Sequence, residues 1–525
     1  MPKVLISDKM SPRAEAIFKE RGIDVDFKPG LSPDELKGII GDYDGLAIRS
    51  ATKVTPEILE VAKNLKVIGR AGIGVDNIDR NAATAKGVIV MNTPFGNAIT
   101  TAEHAIAMMF AVARQIPQAS ISTHQGKWEK SKFMGTELYG KTLGVIGCGN
   151  IGSIVASRAL GLQMKVLAFD PFLTDERAVE LGVEKAELED VLKRADFITL
   201  HTPLTDKTRG IIGKDALSSM KKGVYIINCA RGGLIDEPAL KDALDSDHVA
   251  GAALDVYEVE PATENVLFGH EKVVCTPHLG ASTSEAQENV AVQVAEQISD
   301  YLLTGAVTNA LNMPSVSAED APKLKPYMRL AESLGSFLGQ IARSAVKKVE
   351  ITYEGHITEL NTKPLKSLII AGMLRPTLEG VNIVSAPMRA AERGIDITDS
   401  FKDTSDEFHT LIRVKVTTEK SVHNVDGTIF GTSEPRIVNI DTVPIESEVT
   451  EKMLFVRNLD EPGLIGGLGT ILGNAGVNIA SFRLGRIANE RKAIALVSVD
   501  DAVNDNILKE IEALPQIDRV QLLNF

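Results

Sequence analysis

Short apolar runs alternate with amphipathic stretches over the first 300 or so residues. Val4–Ile6, Leu46–Ile48, Val67–Ile68 and Val88–Val90 read as strands, and residues 11–21, 33–40 and 56–63 between them carry the three-to-four-residue repeat of helices. That alternation predicts a parallel, flavodoxin-like sheet. A helix with an apolar face is expected from Thr101 to about Ile116. The pattern then resumes, and strands at 143–146, 165–169, 196–200, 224–228, 250–254 and 272–275 predict a second, doubly wound sheet. A long helix rich in Ala, Val and Gln, from Thr283 to about Leu303, is expected to return to the first lobe. Two crossings between the lobes would make a hinged cleft.

Beyond the cleft the pattern changes. Asn312 to Pro326, with three prolines and several charges, reads as a linker. Residues 327–450 mix a helix from Tyr327 to about Ala342 with alternating strands at 348–353 and 410–416, and with Asp426-Gly427, a turn-forming pair. The last 75 or so residues run strand (453–457), helix (463–475), strand (477–484), strand (492–499), helix (502–512), strand (517–523), a ferredoxin-like βαββαβ unit. Its loops 458–463 and 476–479 are expected to bring a helix N-terminus and an amide side chain together. A small amino acid would suit them, with its carboxylate at the helix N-terminus and Asp460 and Asn478 on its polar groups. The expected units are 1–97 with 280–312, 98–279, 313–450 and 451–525.

Composition narrows the function. A net charge of −13 argues against non-specific nucleic-acid binding, which needs clustered Lys and Arg. No apolar stretch approaches the roughly 18 residues of a membrane span, and the N-terminus runs straight into a strand without a signal-peptide pattern, so a cytoplasmic protein is expected. The three cysteines, Cys148, Cys229 and Cys275, lack metal-ligand spacing and imply neither disulfides nor a metal; all three are expected to be small buried hydrophobes.

The chemistry starts at Thr142-Leu-Gly-Val-Ile-Gly-Cys-Gly-Asn-Ile-Gly152, a G-x-G-x-x-G run between a predicted strand and a predicted helix. Gly147 allows the tight turn, Gly149 lets backbone approach a pyrophosphate, and Gly152 lets the helix pack on its strand. Asp170, 18 residues after Gly152 at the end of the next strand, suits ribose hydroxyls and would repel a 2′-phosphate. The cofactor is therefore read as NAD rather than NADP, bound by a Rossmann domain inserted into another domain.

Three loops after successive strands carry Arg231, Glu260 and His278 at the strand ends where open α/β sheets bind ligands. A 2-hydroxy acid dehydrogenase needs a planar guanidinium for the substrate carboxylate, an imidazole for the hydroxyl proton, and a carboxylate behind the imidazole.

Gly69-Arg-Ala-Gly-Ile-Gly-Val-Asp-Asn77, Met91-Asn-Thr-Pro94, Phe133-Met-Gly-Thr-Glu-Leu138, Asn228-Cys-Ala-Arg-Gly-Gly-Leu-Ile-Asp236, Ala253-Leu-Asp-Val-Tyr257 and Pro277-His-Leu-Gly-Ala-Ser-Thr283 complete the pattern. Over essentially its whole length the chain resembles the 3-phosphoglycerate-oxidising, long form of the D-2-hydroxyacid dehydrogenase family, with an α+β intervening domain and a C-terminal ACT domain.

The resemblance implies oxidation of 3-phospho-D-glycerate, the entry step of serine synthesis, with Arg231 on the substrate, His278 as acid/base and Glu260 orienting it. It further implies that Asn150 and Ile151 border the pyrophosphate, and that Thr202, Ala230, Asp255, Gly280 and Ala281 line the cofactor. Arg49, Ser50, Arg70 and Asn97 would hold the substrate, the two arginines on its phosphate, with Lys130 reaching in from a neighbouring subunit. An L-serine effector at the ACT domain and a homo-oligomer, a tetramer, are implied too. Ile73 and Asn458 depart from the family pattern, and residues 441–450, with acids and no base, do not suggest an anion site. A reductase for glyoxylate, hydroxypyruvate or 2-oxoglutarate, and a non-catalytic NADH-sensing scaffold, stay open as alternatives.

Overall fold

The computed structural model describes residues 1–316, 319–405, 407–431, 433–487 and 491–525. The first lobe is a parallel sheet of β1 (Lys3–Ile6), β2 (Asp24–Phe27), β3 (Gly45–Ile48), β4 (Val67–Arg70) and β5 (Ile89–Asn92), in the order β2-β1-β3-β4-β5. This is the flavodoxin-like arrangement expected. Strand β2 goes beyond the expectation: Asp-Val-Asp-Phe carries two acids, and it sits at the sheet edge, where Lys3 pairs with Asp26 at 3.1 Å.

The second lobe holds β6 (Thr142–Ile146), β7 (Lys165–Phe169), β8 (Glu184–Lys185), β9 (Phe197–Leu200), β10 (Val224–Asn228), β11 (Val249–Leu254) and β12 (Val273–Cys275), all parallel, in the order β12-β11-β10-β9-β6-β7-β8. The order reverses between β6 and β9, which places a crevice at their C-terminal ends. The chain enters this lobe through the Ala98–Ala113 helix. The single helix expected up to Ile116 is two: Gln115 takes a left-handed conformation (φ 50°), and a second helix, Ile116–His124, restarts with Pro117 in its first turn. The Ser284–Thr304 helix returns to the first lobe as expected and buries Val290, Val294 and Ile298 against Val4, Ala47 and Val67.

The third unit is a sheet of β13 (Val346–Gly355), β14 (Asp396–Lys402), β15 (Thr410–Thr418), β16 (Val422–Phe430), β17 (Glu434–Ile440) and β18 (Val443–Glu448), in the order β14-β13-β15-β16-β17-β18. Two expectations need correction here. The linker ends sooner, because a helix spans Ala321–Ile341: Pro322 in its first turn loses no hydrogen bond, and the buried face from Leu324 to Ile341 outweighs the one that Pro326 removes. Asp426-Gly427 is no hairpin turn but lies inside β16 at a register shift, where a Cβ on Gly427 would stand 2.7 Å from Leu330 Cδ1.

The last unit is βαββαβ as expected: β19 (Lys452–Leu459), β20 (Ile479–Arg486), β21 (Lys492–Val499) and β22 (Ile517–Asn524), in the order β20-β21-β19-β22, with helices Leu464–Asn474 and Asp505–Glu512. One face of this sheet packs its own helices. The other joins the core of the preceding unit, where Met453, Phe455, Ile494, Leu496 and Leu523 meet Phe337, Leu338, Val443 and Ile445. These two units therefore share one core.

The third unit also reaches the first lobe. Val384 lies in its core, and Asn382 Nδ2 donates to Gly87 O at 3.0 Å. Cys148 and Cys229 are buried as expected, but Cys275, at the end of β12, is exposed. Among the described residues no helix is long and apolar enough to cross a membrane, and no group of His, Cys, Asp and Glu could hold a metal ion.

Candidate active site

At the crevice, β6 is followed by Gly147 with φ 92°, a conformation that disfavours any side chain. A Cβ on Gly152 would lie 2.0 Å from Gly147 O, so only glycine lets the Asn150–Gly161 helix approach the turn this closely. Gly149 faces open space and precedes the helix, whose first N–H groups point the same way; a pyrophosphate fits such an opening. Asp170 accepts from Cys148 N and Phe172 N, both at 2.8 Å, which fixes its carboxylate beside the turn. Thr202 and Ala230, both half-buried, follow β9 and β10 at the same sheet edge.

The imidazole and its carboxylate partner come together as expected. Glu260 Oε2 lies 2.6 Å from His278 Nδ1, and Glu260 Oε1 accepts from Tyr257 N at 3.0 Å. Burial pushes the Glu260 carboxyl up, but the hydrogen bonds from His278 and Tyr257 outweigh it and hold the group below the usual carboxylate range. Glu260 thus stays ionised behind Nδ1 and leaves Nε2 to exchange a proton.

Asp255 supports His278 from beneath. Fully buried, it accepts from Thr276 Oγ1 at 2.6 Å, Leu279 N at 2.7 Å and Gly280 N at 2.8 Å, while His278 N donates to its carbonyl and His278 itself is held left-handed at φ 56°. His104, from the helix that enters the lobe, faces the same carboxylate at 3.3 Å. Ala281 continues the loop, half-buried.

The guanidiniums converge from both lobes. Asn228, buried at the end of β10, accepts from Ala230 N and donates to Arg231 O, shaping the turn that carries Arg231. Arg231 Nε meets Asp76 of the first lobe at 3.0 Å. Arg70 is pushed down to about 10 by its burial and by the charges of Arg231 and Arg49, partly opposed by Asp76 and Asp8. Its Nε is buried without a hydrogen-bond partner, as is Asn97 Oδ1 at the first crossing. Buried donors and acceptors left open in this way suit a polar, anionic ligand. Asp8, also buried, accepts from Arg49 N, Thr52 N and Thr52 Oγ1, and so sets the turn that bears Arg49 and the exposed Ser50.

Two groups of residues stand apart. Lys130 is exposed on the segment between the Ile116–His124 helix and β6 and makes no ion pair or hydrogen bond among the described residues. Asp460 and Asn478 are not brought together, contrary to expectation. They flank opposite ends of the Leu464–Asn474 helix, about 16 Å long at 1.5 Å per residue. Asp460 faces Arg486 at 3.4 Å, and Asn478 Nδ2 donates to Asp500 at 2.6 Å. Asp8, Asp76, His104 and Asn228 were not foreseen as site residues. Each acts through a contact with a segment distant in sequence or through a local turn, so no spacing signals it.

Family profiles match three segments: the D-isomer specific 2-hydroxyacid dehydrogenase NAD binding domain over residues 106–280, the D-3-phosphoglycerate dehydrogenase intervening domain over 323–441, and the ACT domain over 452–516. The chain is similar to D-3-phosphoglycerate dehydrogenase of Bacillus subtilis (strain 168), 44% identical with both chains covered in full. It is also similar to the enzyme of that name from Methanocaldococcus jannaschii, 42% identical and again covering 100% of each chain. Among solved structures, D-lactate dehydrogenase from Escherichia coli is 30% identical with a TM-score of 0.53, and covers 59% of this chain and 100% of that one.

Proposed function

The chain belongs to the D-3-phosphoglycerate dehydrogenase family, and from that premise and the cleft geometry we propose that it oxidises 3-phospho-D-glycerate to 3-phosphohydroxypyruvate with NAD, the step that opens serine synthesis. The observation that carries the reading is the meeting, across one cleft, of the Glu260–His278 pair and the guanidiniums of Arg231, Arg70 and Arg49.

NAD, when bound, supplies the hydride acceptor. Gly147, Gly149, Asn150, Ile151 and Gly152 hold its pyrophosphate, Asp170 its ribose, and Thr202, Ala230, Gly280 and Ala281 border the rest, with Asp255 bracing the loop from below. Arg231 grips the substrate carboxylate. Arg49 and Arg70, with Ser50 and Asn97, take the phosphate. His278 Nε2 draws the proton from the C2 hydroxyl, and ionised Glu260 stabilises the imidazolium that results. Closure of the lobes excludes water.

An absorbance assay for NADH tests this. His278→Ala should lower turnover by about two orders of magnitude or more with NADH affinity nearly unchanged. Equal wild-type activity on glyoxylate or hydroxypyruvate and on phosphoglycerate would overturn the substrate assignment.

Two separate faces support a homo-oligomer. Ile116, Ile121, Trp128, Met134 and Tyr139 are exposed over one segment of the NAD lobe, an apolar face that suits a second copy, and Lys130 on the same segment can then reach a neighbour's cleft. Asp460 and Asn478 can share one ligand only where two ACT units lie side by side. Two distinct pairings give a closed tetramer, a cytoplasmic enzyme in this reading. L-serine at the paired ACT units is the proposed effector. Serine should inhibit the wild type and act more weakly on Asn478→Ala; absence of inhibition in the wild type removes the effector.

A further inference from the structure

Arg231 is held on two of its three nitrogens. Nε donates to Asp76 Oδ2 at 3.0 Å, Nη1 donates to its own neighbour's carbonyl, Ala230 O, at 2.6 Å, and Nη2 lies against Gly74, where a Cβ would come within 1.6 Å of it. Gly74 and Asp76 belong to one loop of the substrate lobe. The same loop packs the Arg70 guanidinium, since a Cβ on Gly72 would stand 1.9 Å from Arg70 Nη1. The loop therefore lies along two cations at once.

Arg231 and Asp76 form the one ion pair that joins the two catalytic lobes among the described residues. The pair does more than bridge. Arg231 and Arg70 carry like charges close enough to disturb each other, and the Asp76 carboxylate opposes that repulsion. Its side chain is 67% exposed, against 28% for Arg231, so the carboxylate has room to keep its bond while a ligand enters.

We propose that Asp76 is a positioning residue for the substrate: it takes the Nε edge of Arg231 from the opposite lobe, turns Nη2 toward the loop at Gly74, and so sets the gap into which the carboxylate of a 2-hydroxy acid fits. The inference rests on the dehydrogenase reading above. A rival role has the opposite sign. If Asp76 only competed with the substrate carboxylate for Arg231, its removal would tighten substrate binding.

Saturation kinetics of the full chain with 3-phospho-D-glycerate, alongside NADH fluorescence titration and thermal unfolding, separate these roles. Asp76→Ala should raise KM about tenfold, the scale of a lost hydrogen bond to a charged group, and change kcat less than about threefold. NADH affinity and the unfolding midpoint should stay as in the wild type. Asp76→Asn keeps an acceptor for Nε and should fall between wild type and Asp76→Ala. An unchanged or lowered KM in Asp76→Ala overturns the proposal. So does a joint change of KM, kcat and NADH affinity, which would mark a merely structural residue. A wild type inactive on phosphoglycerate would instead defeat the reading beneath it, and the same comparison would then run on the 2-hydroxy acid that the wild type oxidises.

Discussion

At the scale of single residues, the site depends on groups whose charge is set by what surrounds them. Glu260 is kept ionised by two donors. His201 is the reverse case: it follows β9 beside the Gly147 turn, its Nδ1 is buried without a partner, its Nε2 meets Thr199 Oγ1 at 2.9 Å, and burial pushes its pKa down to about 4. A histidine near 6.5 when unfolded and near 4 when folded binds protons preferentially in the unfolded chain between those values. Stability from this group is full above pH 6.5 or so and falls as the pH drops toward 4, by about 1.4 kcal/mol per pH unit at most. Unfolding midpoints measured between pH 4 and 7 should therefore fall more steeply in the wild type than in His201→Asn, and equal slopes would refute the assignment.

Arg231, Glu260 and His278 were legible in the chain because each follows an apolar strand, and the sheet gathers all such ends at one edge. Asp8 and Asp76 were not. Their partners lie 41 and 155 residues away, and only the folded contacts join them.

At the scale of elements, the strands buried on both faces were the most legible, since Leu167, Ile226 and Ala252 come from continuous apolar runs with no competing pattern. The edge strand β2, half polar, was not. The Lys363–Leu374 helix was also missed, because nearly every residue in it is buried and no polar stripe betrays the helical period. Asp426-Gly427 misled because glycine serves equally for a turn and for close packing under a helix.

The Gly147–Gly152 turn gives the sharpest element-scale prediction. An alanine at 152 must push the helix away from Gly147 O, a backbone atom that cannot rotate aside. Gly152→Ala should weaken NADH binding by about tenfold or more, the scale of one or two kcal/mol of overpacking, and leave the circular dichroism of the sheet unchanged. Fluorescence titration checks the first and spectroscopy the second.

At the scale of the whole molecule, the cofactor fingerprint's late start and the prolines after residue 312 revealed the division into lobes and appended units. The shared core of the last two units was hidden, because the continuous apolar runs of β19 and β21 tell that both faces are buried without telling what covers each. That core has a consequence for truncation.

The Escherichia coli D-lactate dehydrogenase structure is covered in full by 59% of this chain, so a two-lobed protein of this kind stands without further units. A fragment ending at residue 312 should therefore fold and keep NAD-dependent activity, losing the Val384 and Asn382 contacts at the Gly87 edge. A fragment ending at 450 should fare worse despite being longer. It strips Met453, Phe455, Leu496 and Leu523 from the face that Phe337 of the Ala321–Ile341 helix and Val443 of β18 present, and leaves that apolar face open to solvent. Size-exclusion chromatography should find the 1–450 fragment aggregated and the 1–312 fragment dispersed. A monodisperse, serine-insensitive and fully active 1–450 fragment would mean that the third unit closes its own core, and that the ACT sheet merely rests on it.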